Sequence, residues 1–224
     1  MRLYLRGTRS SATYAAACFV LSLLYIATLS NAIAADSFHF RVQTPAPTRF
    51  YLTDSHSKSW SPDTAIHYQR RGEDHFVVKN GFDIQLAPAA YTLIAERGPE
   101  FRPLRATIDL RPVDARPGEG QLLNVALTRW IDMNSLGWYS GDLHNHRPPK
   151  DMPLLLLAED LNLAPTLTDW IWENRQNGKP PQTSDAIRTV DSTHVYSVLD
   201  KEVARLKNGP GAVDLVGLHT PIPV

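Results

Sequence analysis

Two histidines that stand two residues apart are the feature of this sequence with the clearest chemical potential. His144 and His146 lie in the segment Gly-Trp-Tyr-Ser-Gly-Asp-Leu-His-Asn-His at 137–146. Side chains alternate across a β-strand, so in a strand Asp142, His144 and His146 would project to one side. Two neutral imidazoles at this spacing suit zinc, manganese, iron or a similar divalent ion. Exposed histidine pairs also occur on solvated strand edges, and the spacing alone leaves that alternative open.

The residues around the pair predict where it lies. Turn-forming residues at 137, 140 and 141 precede it, and Arg147-Pro148-Pro149 follows it directly. This arrangement predicts a strand that ends at His146, and α/β barrels carry their catalytic residues at the carboxyl ends of strands.

Three further residues are candidates for completing a site. Asp142 could ligate a metal or orient an imidazole, and a turn-capping role is the alternative. Asp169 ends a predicted strand and could act as a catalytic base or a ligand, with a helix cap as the alternative. His219 ends the last predicted strand and could complete a three-ligand set, unless it is simply a terminal histidine.

The first 34 residues are typical of a secretory signal peptide. Arg2, Arg6 and Arg9 form a basic start, residues 15–29 form an apolar core, and Ala-Ile-Ala at 32–34 is a small-x-small cleavage site. This pattern predicts an exported protein, periplasmic or extracellular, and an uncleaved membrane anchor is the alternative.

Composition limits the partners and the metal ligands. The only cysteine, Cys18, lies in the leader, so the exported chain is expected to lack disulfides and thiolate ligands. The whole chain has 23 basic and 23 acidic side chains, and removal of the leader leaves 20 basic ones. Nothing in this balance suggests a nucleic-acid or anionic-membrane partner.

Four tryptophans suggest the kind of small molecule that could bind. They could stack on a carbohydrate-like or aromatic substrate, although packing between domains is the commoner role of such residues. They are Trp130, Trp138, Trp170 and Trp172.

Residues 35–132 predict an antiparallel β-sandwich. Short runs rich in branched and aromatic residues recur every 8 to 12 positions or so, and turn pairs such as Asn80-Gly81 and Ala87-Pro88 separate them. No helical period is visible, which favours two packed sheets. The predicted strands are 38–43, 49–53, 65–69, 75–78, 82–86, 91–96, 107–110 and 121–130.

Residues 133–224 predict an incomplete β/α domain, so the expected fold class is a two-domain α+β chain. The His-x-His strand, a helix at 152–161 and a strand at 164–168 form one β-α-β unit. A second unit is predicted from a strand at 195–199, a helix capped by Asp200, and a buried strand at 212–218. A complete barrel needs roughly 200 residues. We therefore expect a fragment of a longer protein, or else an incomplete barrel.

The segment at 137–146 resembles the PHP (polymerase and histidinol phosphatase) superfamily, and within it the exported CehA/McbA-type metallohydrolases. Three other stretches carry the same resemblance. Residues 86–101 resemble the sandwich that precedes the hydrolase domain, 158–169 resemble the second barrel strand with its helix, and 209–213 resemble a later strand entry.

The resemblance implies a distorted β/α barrel that holds divalent metal and hydrolyses esters, amides or phosphoesters. His144 and His146 match the first metal motif of that family. Its second motif is usually Thr-Asp-His, whereas this chain has Thr168-Asp169-Trp170. The alternative is therefore an exported binding protein with a sandwich and a degenerate barrel, without catalysis.

Overall fold

The structure is a computed structural model that describes residues 37–68, 74–110, 120–172, 175–176, 178–204 and 211–222. The predicted signal peptide at 1–34 lies outside these residues. The described chain is rich in strands and contains one α-helix, α1 (Met152–Glu159). The strands are β1 (Phe38–Gln43), β2 (Thr48–Asp54), β3 (Ile66–His67), β4 (Phe76–Val78), β5 (Gly81–Leu86), β6 (Ala90–Glu96), β7 (Leu104–Asp109), β8 (Gly120–Asn124), β9 (Leu163–Trp172), β10 (Arg175–Gln176), β11 (Ile187–Thr189), β12 (Val195–Ala204) and β13 (Ala212–Leu215).

The first eight strands form two sheets that share one hydrophobic core. Their orders are β5-β1-β8 and β3-β4-β2-β6-β7. In β1, Phe38, Phe40 and Val42 are buried and the residues between them are exposed, which is the period-two pattern of a half-buried strand. Phe50 of the larger sheet packs edge-on against Phe82 of the smaller one, with ring centroids 5.3 Å apart.

Two details of this sandwich differ from the prediction. The sheets are not purely antiparallel, because β8 pairs with β1 in parallel. The predicted strand at 121–130 also ends early, at Asn124. Beyond that residue the chain crosses to the β6–β7 connection, where the N–H of Arg102 donates to Thr128 O at 2.9 Å.

Helix α1 covers one side of the larger sheet and contacts β2 and β4. Its leucine-rich sequence favours a helix, and Pro153 stands in its first turn, where the missing N–H costs nothing. Asp160 adopts a left-handed conformation with φ 52° and ends the helix two residues before the predicted position. The N–H of Leu161 then donates to Leu156 O at 3.0 Å, which satisfies a carbonyl of the last turn.

The third sheet is built on the long parallel pair of β9 and β12. Strand β10 pairs with β9, while β11 and β13 lie antiparallel along the other edge of β12. The segment 140–146 runs parallel to β9 but is reduced to two bridges, Gly141 to Leu163 and Asn145 to Thr166. This segment, α1 and β9 form the first predicted β-α-β unit.

The predicted helix that begins at Asp200 is wrong. Strand β12 continues through Asp200 to Ala204, and the remainder of the predicted helix lies outside the described residues. Asp200 is fully buried, accepts a hydrogen bond from the N–H of Leu218 at 3.0 Å and contacts the Ser197 hydroxyl. Burial raises the pKa of its carboxyl group above the usual value. A helix cap would instead bond to its own first turn.

The last predicted strand is shorter and more exposed than expected. Strand β13 ends at Leu215, runs antiparallel to β12, and exposes its first two residues. In the described part of residues 133–224, the strands therefore form an open five-stranded sheet with no second β-α-β unit. The PHP-like barrel remains an expectation.

Ion pairs connect α1 to the sandwich. The Nη1 atom of Arg49 lies 2.9 Å from the Glu159 carboxylate, and its Nη2 atom lies 2.7 Å from Glu96. Gly98 approaches the end of the helix so closely that a Cβ atom there would lie 2.1 Å from Glu159 O. With φ +56°, Gly98 also occupies a conformation that favours glycine.

A second set of contacts surrounds Phe101. The guanidinium groups of Arg97 and Arg129 lie 4.7 and 4.4 Å from the Phe101 ring centroid. Arg129 reaches Asp160 at 2.6 Å, and Arg97 reaches the same carboxylate at 3.4 Å. Residues from both halves of the chain thus share one charged interface.

We expect residues 133–224 to fold poorly when expressed alone. Among the described residues of this half, two clusters have three buried hydrophobic residues each, Met152, Leu156 and Ala164 in one and Ala186, Val198 and Leu199 in the other. Separate expression of 35–132 and 133–224, followed by thermal melts monitored by circular dichroism, measures this. A cooperative melt of the second piece alone would contradict the expectation.

No helix in the described part of the chain combines the length and the apolar character needed to cross a membrane.

Candidate metal centre

The histidine segment is an irregular strand whose kink sets the directions of its side chains. Three residues lie between Gly141 and Asn145, whereas two lie between their bridge partners Leu163 and Thr166 on β9. The extra residue forms a bulge, which changes side-chain alternation locally. Asp142 stabilises it by accepting the N–H of His144 at 3.1 Å. Asn145 is buried on the inner side and donates its amide N–H to Pro165 O.

His146 is held by a main-chain carbonyl. Its Nδ1 lies 3.1 Å from Leu167 O, and because a carbonyl oxygen only accepts, Nδ1 must carry the hydrogen. The other nitrogen, Nε2, lies 2.9 Å from Glu202 Oε2. A hydrogen bond that fixes one imidazole nitrogen and leaves the other directed at a ligand position is the usual arrangement of a metal-binding histidine.

His144 has the same arrangement with a carboxylate as its partner. Its Nδ1 lies 2.9 Å from Asp214 Oδ2, and its ring centroid lies 5.2 Å from that of His146. The contact with Asp214 is the largest cause of a raised pKa at His144. Both histidines thus use Nδ1 for orientation, and Nε2 is the candidate ligand atom of each; that of His146 lies 2.9 Å from Glu202 Oε2 in the structure.

Two carboxylates face each other beside these rings. Glu202 of β12 and Asp214 of β13 are direct cross-strand partners. Like charges in that position repel each other unless a cation lies nearby. Glu202 is buried, and the Oδ1 atom of Asp214 is buried with no hydrogen-bond partner among the described residues. This part of the structure is therefore suited to a positive charge.

His144, His146 and Glu202 form a triad of candidate ligands. One ligand atom from each lies within 4.8 Å of the others. Two imidazole nitrogens and one carboxylate oxygen are one of the donor sets found in catalytic zinc sites and in non-haem iron sites. Both histidine side chains remain accessible, with exposed fractions of 54% and 30%, so a ligand from solvent could reach the triad.

Asp142 lies outside the triad, although the sequence suggested a shared face. The bulge turns it toward a cavity of about 300 Å³ between α1 and the sandwich, where it lines the wall with Asn145. Its observed contact is the turn-capping bond to the N–H of His144.

Asp169 is placed in the middle of β9 and not at its end. The predicted strand end at Thr168 is wrong, because β9 continues to Trp172. Asp169 pairs with Lys201, its neighbour on β12, at 2.9 Å, and both side chains are buried. The Asp169 carboxylate is therefore paired with a lysine of the protein, and Asp169 is not part of the group of candidate metal ligands.

His219 and Trp170 are the remaining two residues that the sequence singled out. His219 is exposed and follows β13 by four residues, so the predicted strand end there is wrong. The ring of Trp170 packs edge-on with the ring of His146, with centroids 4.9 Å apart.

Sequence reasoning missed Glu202 and Asp214. Glu202 belongs to the polar run Asp200-Lys201-Glu202, which the sequence assigned to a helix surface. Asp214 stands inside the apolar run Ala212–Leu215, and a single acid in the middle of a short apolar strand was the available signal.

We expect metal binding to weaken as the pH falls from 7.5 to 5.5. The imidazoles must be neutral to bind, and Asp214 raises the pKa of His144, so protons compete at higher pH than for a free histidine. Calorimetric titration with zinc at several pH values measures this. Affinity that stays constant across the range would argue against histidine ligands.

The Asp214→Asn change is expected to lower zinc affinity about tenfold, because loss of an orienting carboxylate typically costs about 10 to 100-fold. Asp185→Asn, which removes an exposed carboxylate paired with Arg188, is the matched control and should leave the affinity unchanged. Equal affinities for the two variants would show that Asp214 does not orient His144.

Comparison with known proteins identified no relative, since no family model, no curated protein and no solved structure matches this chain.

Proposed function

We propose that the chain binds a divalent metal through His144, His146 and Glu202 and supports metal-dependent hydrolysis of an ester, amide or phosphoester. The observation that carries the proposal is the orientation of the two imidazoles. Leu167 O and Asp214 Oδ2 each engage an Nδ1 atom, and Glu202 lies against the Nε2 atom of His146. This is a three-ligand donor set on an accessible surface.

The donor set fits the metal that the family resemblance implies. Catalytic zinc sites have three protein ligands and one open position, and a bound zinc ion lowers the pKa of water and polarises a scissile bond. In this chain, Glu202 would supply the negative charge, while Asp214 and Leu167 hold the rings in place. The buried Oδ1 atom of Asp214 adds negative potential beside the same position.

The proposed location of the activity is outside the cytoplasm, on the basis of the leader pattern at 1–34. A site built from nitrogen and oxygen ligands suits an oxidising compartment, since it has no thiolate to oxidise.

The test is hydrolysis of three chromogenic substrates, p-nitrophenyl acetate, p-nitrophenyl phosphate and 4-nitroacetanilide. Metal-stripped protein should be inactive, and addition of zinc or manganese should restore hydrolysis of at least one substrate. The His146→Ala variant should show no recovery. Activity in stripped wild-type protein that equals the activity of the reconstituted protein would contradict the proposal.

A non-catalytic binding protein is the second candidate. The observation that favours it is Trp170, which cannot ligate a metal at the position where the family has histidine. Zinc binding without hydrolysis of any of the three substrates would favour this candidate.

A further inference from the structure

A cleft of about 270 Å³ opens directly beside the triad. His146 forms part of its wall, so a molecule in the cleft would lie next to the candidate metal ligands. Its apolar lining consists of Trp170, Leu167 and three prolines, Pro148, Pro149 and Pro181. This lining presents flat, rigid and apolar surfaces, which suit an aromatic or similarly planar group.

The loop that follows β10 fixes the position of Trp170. Gly178 packs so closely on the indole that a Cβ atom there would lie 2.6 Å from Cε3 and 2.3 Å from Thr168 O. The His146 ring packs edge-on with the same indole, with centroids 4.9 Å apart. Trp170 therefore contacts both the backbone of this loop and a candidate ligand, and these contacts hold it next to the triad.

The charged side chains that line the cleft are both basic. Lys179 and Arg147 line it, and the described lining contains no aspartate or glutamate. Lys179 is exposed on the same loop as Gly178. The triad contains the Glu202 carboxylate, and Asp214 lies beside it, so the charges next to the triad are opposite in sign to those that line the cleft. A ligand with a negative charge is favoured in the cleft by simple Coulomb attraction.

We propose that this cleft is the subsite for the non-reacting part of the substrate and that it selects a flat, apolar group that carries a negative charge, such as an aryl carboxylate. Trp170 and the three prolines contact the planar group, and Lys179 pairs with the anion. The assignment rests on the proposed function in one respect, namely that the scissile bond of the substrate would lie at the triad.

The test is calorimetric binding of benzoate and of its neutral analogue benzyl alcohol to the metal-free protein in the presence of a chelator. Because the chelator removes metal, benzoate cannot bind by coordinating a metal ion at the triad. Wild-type protein should bind benzoate more tightly than benzyl alcohol. The Lys179→Gln change should weaken benzoate binding about fivefold, the size of one accessible ion pair, and leave benzyl alcohol binding unchanged.

Two controls accompany this comparison. Lys79→Gln removes the same charge at an exposed position between β4 and β5 and should not affect benzoate. Gly178→Ala should displace Trp170 and weaken both probes, because the new methyl group occupies the space of the indole. Equal binding of benzoate and benzyl alcohol by wild-type protein, or an equal effect of the two lysine changes, would overturn the subsite.

Failure of the subsite and failure of the proposed function are distinguishable. Zinc titration of the same protein preparations reports the triad separately from the cleft. Intact zinc binding with no preference for benzoate refutes the subsite alone. Benzoate selectivity that depends on Lys179, without zinc binding, refutes the metal centre and retains an anion-binding cleft.

Discussion

The His146→Ala variant is expected to lose zinc affinity by about 100-fold or more. Removal of a partner that only orients a ligand typically costs about 10 to 100-fold, and removal of the ligand itself should cost at least as much. His146 is the most constrained member of the triad, since it contacts Leu167 O, Glu202 and the Trp170 ring. The measurement is calorimetric titration with zinc and with manganese at neutral pH.

His39→Ala is the matched control for this variant. The side chain of His39 is 48% exposed and that of His146 is 30% exposed, so His39 is at least as accessible to zinc, and its Nδ1 also has a fixed partner, Asp83 at 3.1 Å. It lies on β1 of the sandwich, away from the triad. Zinc affinity should be unchanged in His39→Ala. A similar loss in both variants would indicate nonspecific binding to surface histidines.

The Lys201→Met variant is expected to be destabilised by about 3 to 5 kcal/mol, because it leaves the buried Asp169 carboxylate without its lysine. Lys201 also donates to Ile222 O at 3.1 Å, and that bond would be lost as well. The measurement is the free energy of unfolding in urea, with wild-type protein as the reference.

Two comparisons show whether the buried charge causes this loss. Arg188→Met breaks an exposed pair with Asp185 and should change stability by about 1 kcal/mol or less. The double change Lys201→Met with Asp169→Leu removes both charges and should recover most of the stability. A double variant as unstable as Lys201→Met would show that packing, and not the charge of Asp169, accounts for the loss.

The sandwich was predictable because its signals are local. Strand β1 alternates buried apolar and exposed polar residues, and Asn80-Gly81 marks the turn into β5. Period-two alternation arises directly from strand geometry, so it can be read without knowing the neighbouring strand. The parallel pairing of β8 with β1 is a non-local contact, and nothing in the sequence of β8 indicates it.

Strand β12 was not predictable from its own residues. Asp200, Lys201 and Glu202 look like a solvated helix surface, since charged residues are seldom buried without a partner. Each has a partner elsewhere in the chain: Leu218 for Asp200, Asp169 for Lys201, and His146 for Glu202. Glu202 and Asp214 were missed as site residues for the same reason, because only the pairing of β12 with β13 brings them together.

The histidines were identified from spacing, but their geometry was only partly foreseen. His144 and His146 do lie together, with rings 5.2 Å apart. The bulge at 141–145 turns Asp142 to a different cavity, and a one-residue bulge has no strong sequence signal beyond Gly141 and the capping aspartate.

The most direct test of the metal centre is a crystal structure of the protein grown with zinc, with data collected on both sides of the zinc absorption edge. We expect an anomalous peak about 2.0 to 2.2 Å from Nε2 of His144, Nε2 of His146 and a carboxylate oxygen of Glu202. A peak bound by other residues, or a triad without a peak at saturating zinc, would contradict it.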